Sequence, residues 1–321
     1  MLASVLTGLA AEPYTAHALL PETSTHTTRR SSTDLSTWSV WTPHMPVMAA
    51  ATGRASKQTK CATGANNAMH LTGLPVVPMC LLPEADVISS SIRNFGKWSD
   101  CDTLTTLWNS ASQRVGSTFL EFGGNIGACT LAMLLATNVS MAHVFEPNPE
   151  ALFYMTSTLL LAADLFPSIR DRVRVYPVAV GDAPGSAPIF TQDHNLGNTV
   201  LDHAVQNAEP VGTTVTVVRA DDVLPAGLQV GLLKMDIQGF ECQALDGMPS
   251  TLQRVLTIKT EIAPVHLTAQ NCSARGLRNR LIGSGMVVTE DETRDETTID
   301  PSGAGDIVMQ RRRVMLTAAR R

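Results

Sequence analysis

Between Asp86 and the carboxyl end, short apolar runs alternate with stretches of helical character. Thr118–Phe122 is an apolar, β-favouring run; Gly123, Gly124 and Gly127 follow, and then a helix-like run, Ala128–Ala136. Met141–Phe145 is a second short strand. Pro147 and Pro149 stop it, and a helix is predicted from about Glu150 to Ala163. Arg172–Val180 reads as a third strand, whose opening alternation of charged and apolar residues suggests an edge or a partly exposed entry. The stretch from Gly185 to Leu201 is polar and turn-rich, whereas Thr213–Arg219 alternates with period two, as a strand or hairpin arm does.

Gly231–Asp236 predicts a buried fourth parallel strand and Val255–Ile262 a fifth, with a helix over Gln238–Leu245 between them. A helix over Ser273–Ile282 precedes two strands, Met286–Thr289 and Asp306–Gln310. No helix separates those two, so an antiparallel pair is expected. Upstream, Val87–Ile92 suggests a short strand and Asp102–Asn109 a short helix, with Trp98 between them as a core residue or a pocket wall.

Strands alternating with helices at this spacing imply βαβ units and a mainly parallel sheet. Ligands of such sheets lie beyond the carboxyl ends of the strands, where strand order reverses. Glu121, Glu146, Asp182, Asp236 and Glu261 all fall at or near such ends. Their clustering is the first sign of a site.

Residues 1–84 follow neither period. Thr, Ser, Ala and Pro dominate, as in Thr23–Thr33, and Trp38 and Trp41 stand in an otherwise featureless tail. The sequence therefore divides into an irregular amino-terminal segment, 1–84, and a folded domain, 85–321. The segment has the composition of an organelle transit peptide and equally of a disordered tail, so the cytoplasm is the default and targeting an alternative.

The 321 residues are 44% apolar and 17% charged, with a net charge of −5. That balance gives no reason to expect nucleic acid as a partner. No run reaches the roughly 18 apolar residues of a membrane span. Six cysteines, at 61, 80, 101, 129, 242 and 272, show no metal-ligand or redox spacing, so neither zinc nor a disulfide framework is expected. A reducing compartment follows as the default.

The loop after the first strand departs from the dinucleotide fingerprint Gly-x-Gly-x-x-Gly. Counted from Gly124, the third glycine falls at Cys129; counted from Gly123, the second falls at Asn125. Glu121, just before the loop, would repel a pyrophosphate but suits a ligand carrying an ammonium group. Glu146 lies about 20 residues beyond the loop, the place of a carboxylate that accepts hydrogen bonds from ribose hydroxyls. S-adenosylmethionine combines those features: a nucleoside, an ammonium, a carboxylate and a sulfonium, but no phosphate.

Five segments in order, Glu121-Phe-Gly-Gly-Asn-Ile-Gly127, Phe145-Glu-Pro-Asn-Pro149, Ala179-Val-Gly-Asp182, Gly197-Asn-Thr199 and Leu233-Lys-Met-Asp-Ile-Gln-Gly-Phe-Glu241, resemble the FkbM-type methyltransferases. The resemblance spans roughly Asp86 to Gln310. It implies a class I, Rossmann-like, seven-stranded sheet with helices on both faces, S-adenosylmethionine as donor, and methylation of a hydroxyl oxygen on a small molecule or glycan. It also implies a donor site of Glu121, Gly123, Gly124, Asn125, Gly127, Glu146 and, at the adenine edge, Asp182. Two positions depart from the family: Gly124 stands where Ala is usual, and Gln238 where Glu is usual.

A hydroxyl acceptor needs a base, and Asp236 at the end of the fourth strand is the first candidate, with Glu241 and Glu261 behind it. Lys234 is expected to pair with a neighbouring carboxylate, and His266 to be a surface residue or a proton shuttle. Gln238 cannot act as a base. A donor-binding protein without turnover is therefore the alternative reading, and a NAD(P)-linked oxidoreductase a more distant one, against which the absence of a Tyr-x-x-x-Lys pair also counts.

Overall fold

A computed structural model describes residues 38–49, 61, 64, 66–82, 86–110, 118–192, 195–201, 208–291 and 305–312. All lie within one unit, Leu35–Arg321. The Thr- and Ser-rich stretch Thr23–Thr33, expected to be a tail, lies outside the described residues.

The elements run β1 (Ala68–Met69), β2 (Val77–Pro78), α1 (Val87–Phe95), α2 (Ser99–Ser110), β3 (Thr118–Phe122), α3 (Ala128–Ala136), β4 (Met141–Phe145), α4 (Pro149–Leu165), α5 (Ile169–Arg172), β5 (Val173–Tyr176) and β6 (Ala179–Val180). They continue as β7 (Gly185–Gln192), β8 (Asn195–Leu201), β9 (Ala208–Val218), α6 (Ala220–Val223), β10 (Val230–Met235), α7 (Glu241–Asp246), α8 (Pro249–Leu252), β11 (Val255–Ile262), α9 (Pro264–Ala269), α10 (Ala274–Gly283), β12 (Met286–Asp291) and β13 (Gly305–Arg311).

Among the described residues the main sheet has seven strands in the order β12-β13-β11-β10-β3-β4-β5. β5, β4, β3, β10 and β11 are parallel, and β13 runs antiparallel to both β11 and β12. The expected mostly parallel sheet with an antiparallel final pair is what the chain forms. The central strands β3 and β10 are buried at every position, because both faces carry helices. Strand alternation sends Phe119 and Leu232 into one core with α2, α3 and α4; Leu120 and Leu233 enter the other with α7 and α10. β3 has neighbours built from sequence on either side of it, β4 and β10, so strand order reverses there and a crevice opens above its carboxyl end.

Four sequence expectations are corrected. Val87–Phe95 is a helix, not a strand: Asp86 Oδ1 caps it by accepting from Ser89 N at 2.6 Å, and Gly96 ends it in the left-handed region. The third strand is two: β5 closes at Tyr176, and β6 belongs to a second sheet, β6-β9-β7-β8. The polar stretch Gly185–Leu201 forms β7 and β8 of that sheet; β8 pairs with β7, and β7 with β9 some 20 residues on, a pairing that local composition does not announce. Parts of the amino-terminal segment also pack on the domain. Trp41 is 2% exposed, exchanges backbone hydrogen bonds of 2.8 and 2.9 Å with Val175 on β5, and donates from Nε1 to Pro46 O. β5 is the edge of the main sheet, one of the two readings its charge pattern allowed, and the Trp41 segment covers that edge.

The cysteine expectation is overturned. All six pair: Cys61–Cys80, Cys101–Cys129 and Cys242–Cys272, with Cα atoms 5.5, 4.7 and 6.2 Å apart. Each bridge joins residues 19 to 30 positions apart that only the fold brings together, such as Cys101 on α2 and Cys129 on α3. The default of a reducing compartment loses its basis, since disulfides persist in oxidising ones. No helix of the described residues is long and apolar enough to cross a membrane.

Candidate functional site

The crevice above β3 is a cavity of about 720 Å³. A volume of that order accommodates a drug-sized ligand. The glycine loop forms its floor by folding over the end of β4: Gly123 N and Gly124 N both donate to Phe145 O, at 3.0 and 3.1 Å. Gly123 has φ 83°, and a Cβ there would lie 2.0 Å from Asp236 O, so the loop is pressed against the end of β10 as closely as backbone allows. Gly124 has no such φ, yet a Cβ would meet Val144 and Met155 at 2.4 and 2.5 Å. Gly127, at φ 82°, caps α3.

Two buried carboxylates flank the loop. Glu146, just past β4, accepts from Asn125 N through Oε2 and from Asn148 N through Oε1, both at 2.8 Å. Glu121, on β3, accepts from Thr130 Oγ1 at 2.5 Å and lies 3.8 Å from Lys234 Nζ. Burial pushes each carboxyl up to about 7, against the hydrogen bonds of Asn148 and Asn125 for Glu146, and against Lys234 and Thr130 for Glu121. A cation or hydroxyl donor arriving beside either would restore its ionisation. Asn125 Oδ1, on the cavity wall, is buried without a partner. Phe145 and Val178–Val180 line an apolar side, on which Phe145 stacks with Tyr176 at 4.3 Å.

The opposite side holds the charge chemistry. Lys234 Nζ lies 3.3 Å from Asp236 Oδ2 and donates to Gly123 O at 3.4 Å. Burial opposes its charge, but Asp236, Glu121 and Asp100 outweigh that and keep it protonated. For Asp236, burial is likewise outweighed by Lys234 and by hydrogen bonds from Gln238 and Glu261, which hold the carboxyl below its usual range. Gln238 Nε2 donates to Asp236 Oδ1 and Glu261 Oε2, both at 2.8 Å. Glu261 is pushed up to about 9 by burial and by Asp236. Lys259 is buried between Asp100 of α2 and Asp306 of β13, paired with both. With Val87, Ile88 and Trp98 these residues complete the wall.

The fold thus brings Glu121, Gly123, Gly124, Asn125, Glu146, Asp236 and Glu261 to one cavity. Three other candidates stand apart. Glu241 is 2% exposed and lies behind the wall, where Oε1 accepts from Ile237 N. Burial raises it to about 7. Gly127 shapes the loop without lining the cavity, and Asp182 is solvent-exposed and outside the lining. His266 is half-buried rather than a surface residue, with burial lowering its basicity. Sequence reasoning missed Asp100, Lys259 and Asp306, which come from three separate elements, and Val178–Val180, whose role depends on the chain leaving one sheet for another.

A model described as Methyltransferase FkbM domain matches residues 121–291. No curated protein matches. Among solved structures, FkbM methyltransferase from Methylobacillus flagellatus KT aligns at 16% identity over 72% of this chain and 56% of that one, with a TM-score of 0.42. This chain therefore spans little more than half of that protein's length. Magnesium protoporphyrin IX methyltransferase from Synechocystis PCC 6803 aligns at 9% identity over 72% and 86% of the two chains, TM-score 0.41. A putative tRNA (m1A22) methyltransferase from Streptococcus pneumoniae aligns at 11% over 65% and 69%, TM-score 0.37.

Proposed function

The chain belongs to the FkbM methyltransferase family, and from that premise we propose that it transfers the methyl group of S-adenosylmethionine to a hydroxyl oxygen of a small-molecule or glycan acceptor. The donor set fits this ligand and disfavours a dinucleotide. Glu121 is a buried carboxyl beside the glycine loop that would meet a pyrophosphate with like charge, whereas an ammonium offers it a hydrogen-bond donor; Glu146 would accept from a ribose diol, which both ligands carry. Glu146 would hold the ribose, Glu121 with the glycine loop the amino-acid end, and Phe145 with Val178–Val180 the base. S-adenosylmethionine, when bound, supplies an electrophilic methyl on a sulfonium.

The residues do the rest. Asp236 faces the cavity with its side chain 37% exposed, and Lys234 keeps it anionic, so it can take the proton of an acceptor hydroxyl. Among the described residues, Asp100, Asp236, Glu261 and Asp306 line the acceptor side, with Lys234 and Lys259 against them. That excess of acid favours an uncharged polyol over a phosphorylated acceptor or a nucleic acid.

The single observation that carries the reading is that Asp236, 3.3 Å from Lys234, shares one cavity with Glu121 and Glu146. Calorimetry with S-adenosylmethionine on the wild type and Glu146→Ala, followed by S-adenosylhomocysteine release with a panel of hydroxylated acceptors, tests it. Glu146→Ala should weaken donor binding at least tenfold, since hydrogen bonds to a charged group contribute about 1.5–3 kcal/mol each. Asp236→Asn should slow turnover by about 10²-fold or more. Equal binding heats in both proteins would remove the donor assignment. Donor binding without turnover on any acceptor would favour a donor-binding protein, and uptake of nicotinamide cofactors instead would favour an oxidoreductase.

A further inference from the structure

Gln238 has φ 53°, in the left-handed region, and is 8% exposed. The next residue, Gly239, has φ 103°, and a Cβ there would lie 2.5 Å from His266 O. A strained two-residue turn thus aims one amide at two carboxyl groups, Asp236 and Glu261, both 2.8 Å from the same nitrogen. Held by one amide nitrogen, those carboxyl groups are close neighbours and repel each other when both are ionised. Two carboxyl groups sharing one site do not ionise together as readily as either would alone, so the pair favours holding one proton.

The surroundings decide where it sits. Asp236 has Lys234 at 3.3 Å, while Lys259, on the strand of Glu261, is engaged with Asp100 and Asp306. The other groups facing the pair are Glu121 on β3, Glu146 on β4, Glu241 on α7, His266 on α9 and Asp306 on β13. All but His266 are acids, so the pair has Lys234 as its nearest cation, on the Asp236 side.

We propose that Gln238 is a positioning residue that confines a single proton to the Asp236–Glu261 pair and lodges it on Glu261, leaving Asp236 free as the base. This rests on the reading of Asp236 given above. An amide suits the place because it donates to the ionised oxygen of Asp236 and to the carbonyl oxygen of protonated Glu261 at once. A carboxylate there would bring three acids together and require a second proton or a cation.

Infrared titration of the oxidised full chain tests this without any acceptor. At pH 8, above the range near 7 to which burial raises Glu121, Glu146 and Glu241, the wild type should still show a protonated-carboxyl C=O component that disappears near pH 9, and Glu261→Gln should remove that component. Isosteric Gln238→Glu should add a second protonated carboxyl at pH 8. Gln238→Asn tolerates the left-handed turn but is too short to reach both partners. It should move the band's midpoint up by about one to two pH units, the equivalent of a lost charge-assisted hydrogen bond.

Circular dichroism melts on the same samples confirm that each variant folds, and a band that shifts on carbon-13 labelling of glutamate but not of aspartate settles the proton's location even if Gln238→Asn does not fold. Absence of the band in the wild type, its persistence in Glu261→Gln, or an unmoved midpoint in folded Gln238→Asn with no added carboxyl in Gln238→Glu overturns the proposal. Calorimetry with S-adenosylmethionine on the same preparations separates the two ideas. Donor binding without the band sinks the proton assignment alone, and the band without donor binding sinks the donor reading alone.

Discussion

Substituting Gly123 by alanine should damage the fold and the site together. The residue holds φ 83°, which costs an L side chain about 1–2 kcal/mol. The added Cβ would stand 2.0 Å from Asp236 O and 3.0 Å from its carbonyl carbon, and backbone cannot swing aside as a side chain can. Forcing such an overlap apart costs about 1–3 kcal/mol. The sum is roughly 2–5 kcal/mol, a substantial part of the about 5–15 kcal/mol that stabilises a domain. At about 2–4 °C per kcal/mol for a chain of this size, the melting midpoint should fall by roughly 5–20 °C. Gly185→Ala is the control: nothing lies within 4 Å of its Cβ and its φ is ordinary, so the change should stay within about 0.5 kcal/mol. Urea unfolding followed by tryptophan fluorescence reads both. Coincident midpoints for the two variants would refute the claim that the loop is pressed onto the end of β10.

Gly124→Ala should cost about 1–3 kcal/mol, because stiff Val144 cannot yield although the end of Met155 can, and pairing it with Met155→Ala should recover part of the loss in the same urea assay. The double substitution Cys101→Ser with Cys129→Ser removes the bridge between α2 and α3, and should lower stability by about 2–5 kcal/mol relative to the oxidised wild type; no change would mean that the bridge does not form in solution. Stability should also fall as pH rises from 7 to 10. The folded carboxyl of Glu261, lifted to about 9, keeps a proton that the unfolded chain releases in the ordinary acidic range, so this contribution is whole below that range and lost as pH passes 9. Thermal melts at pH 7, 8.5 and 10 measure it, and a midpoint that climbs across the series would contradict the burial of that acid.

The parallel sheet was legible because its strands carry local signals: apolar runs, glycine or proline stops, and acids at their ends. Glu121 and Glu146 could be named as a pair for the same reason, since each sits one loop from a recognisable strand. Other features depend on contacts between distant segments. β7 pairs with β9 and β8 with β7, so strand pairing defines both more than composition does. The disulfides and the Asp100–Lys259–Asp306 cluster join residues from separate elements, and linear spacing carries no trace of either. Gln238 looked like a lost carboxylate from its identity alone; its amide bridge between Asp236 and Glu261 is a property of a turn conformation that sequence does not announce.

The short ribbon at Trp41 bears on how this protein can be cut. Its two backbone hydrogen bonds to Val175 occupy the outer side of β5, which would otherwise present unpaired donors and acceptors to solvent. A fragment begun at residue 85, where composition changes, would strip that guard and bare the hydrophobic floor beneath Trp41. It would offer neighbouring molecules an open template for strand addition. Fragments for crystallisation or assay should therefore begin upstream of Trp38.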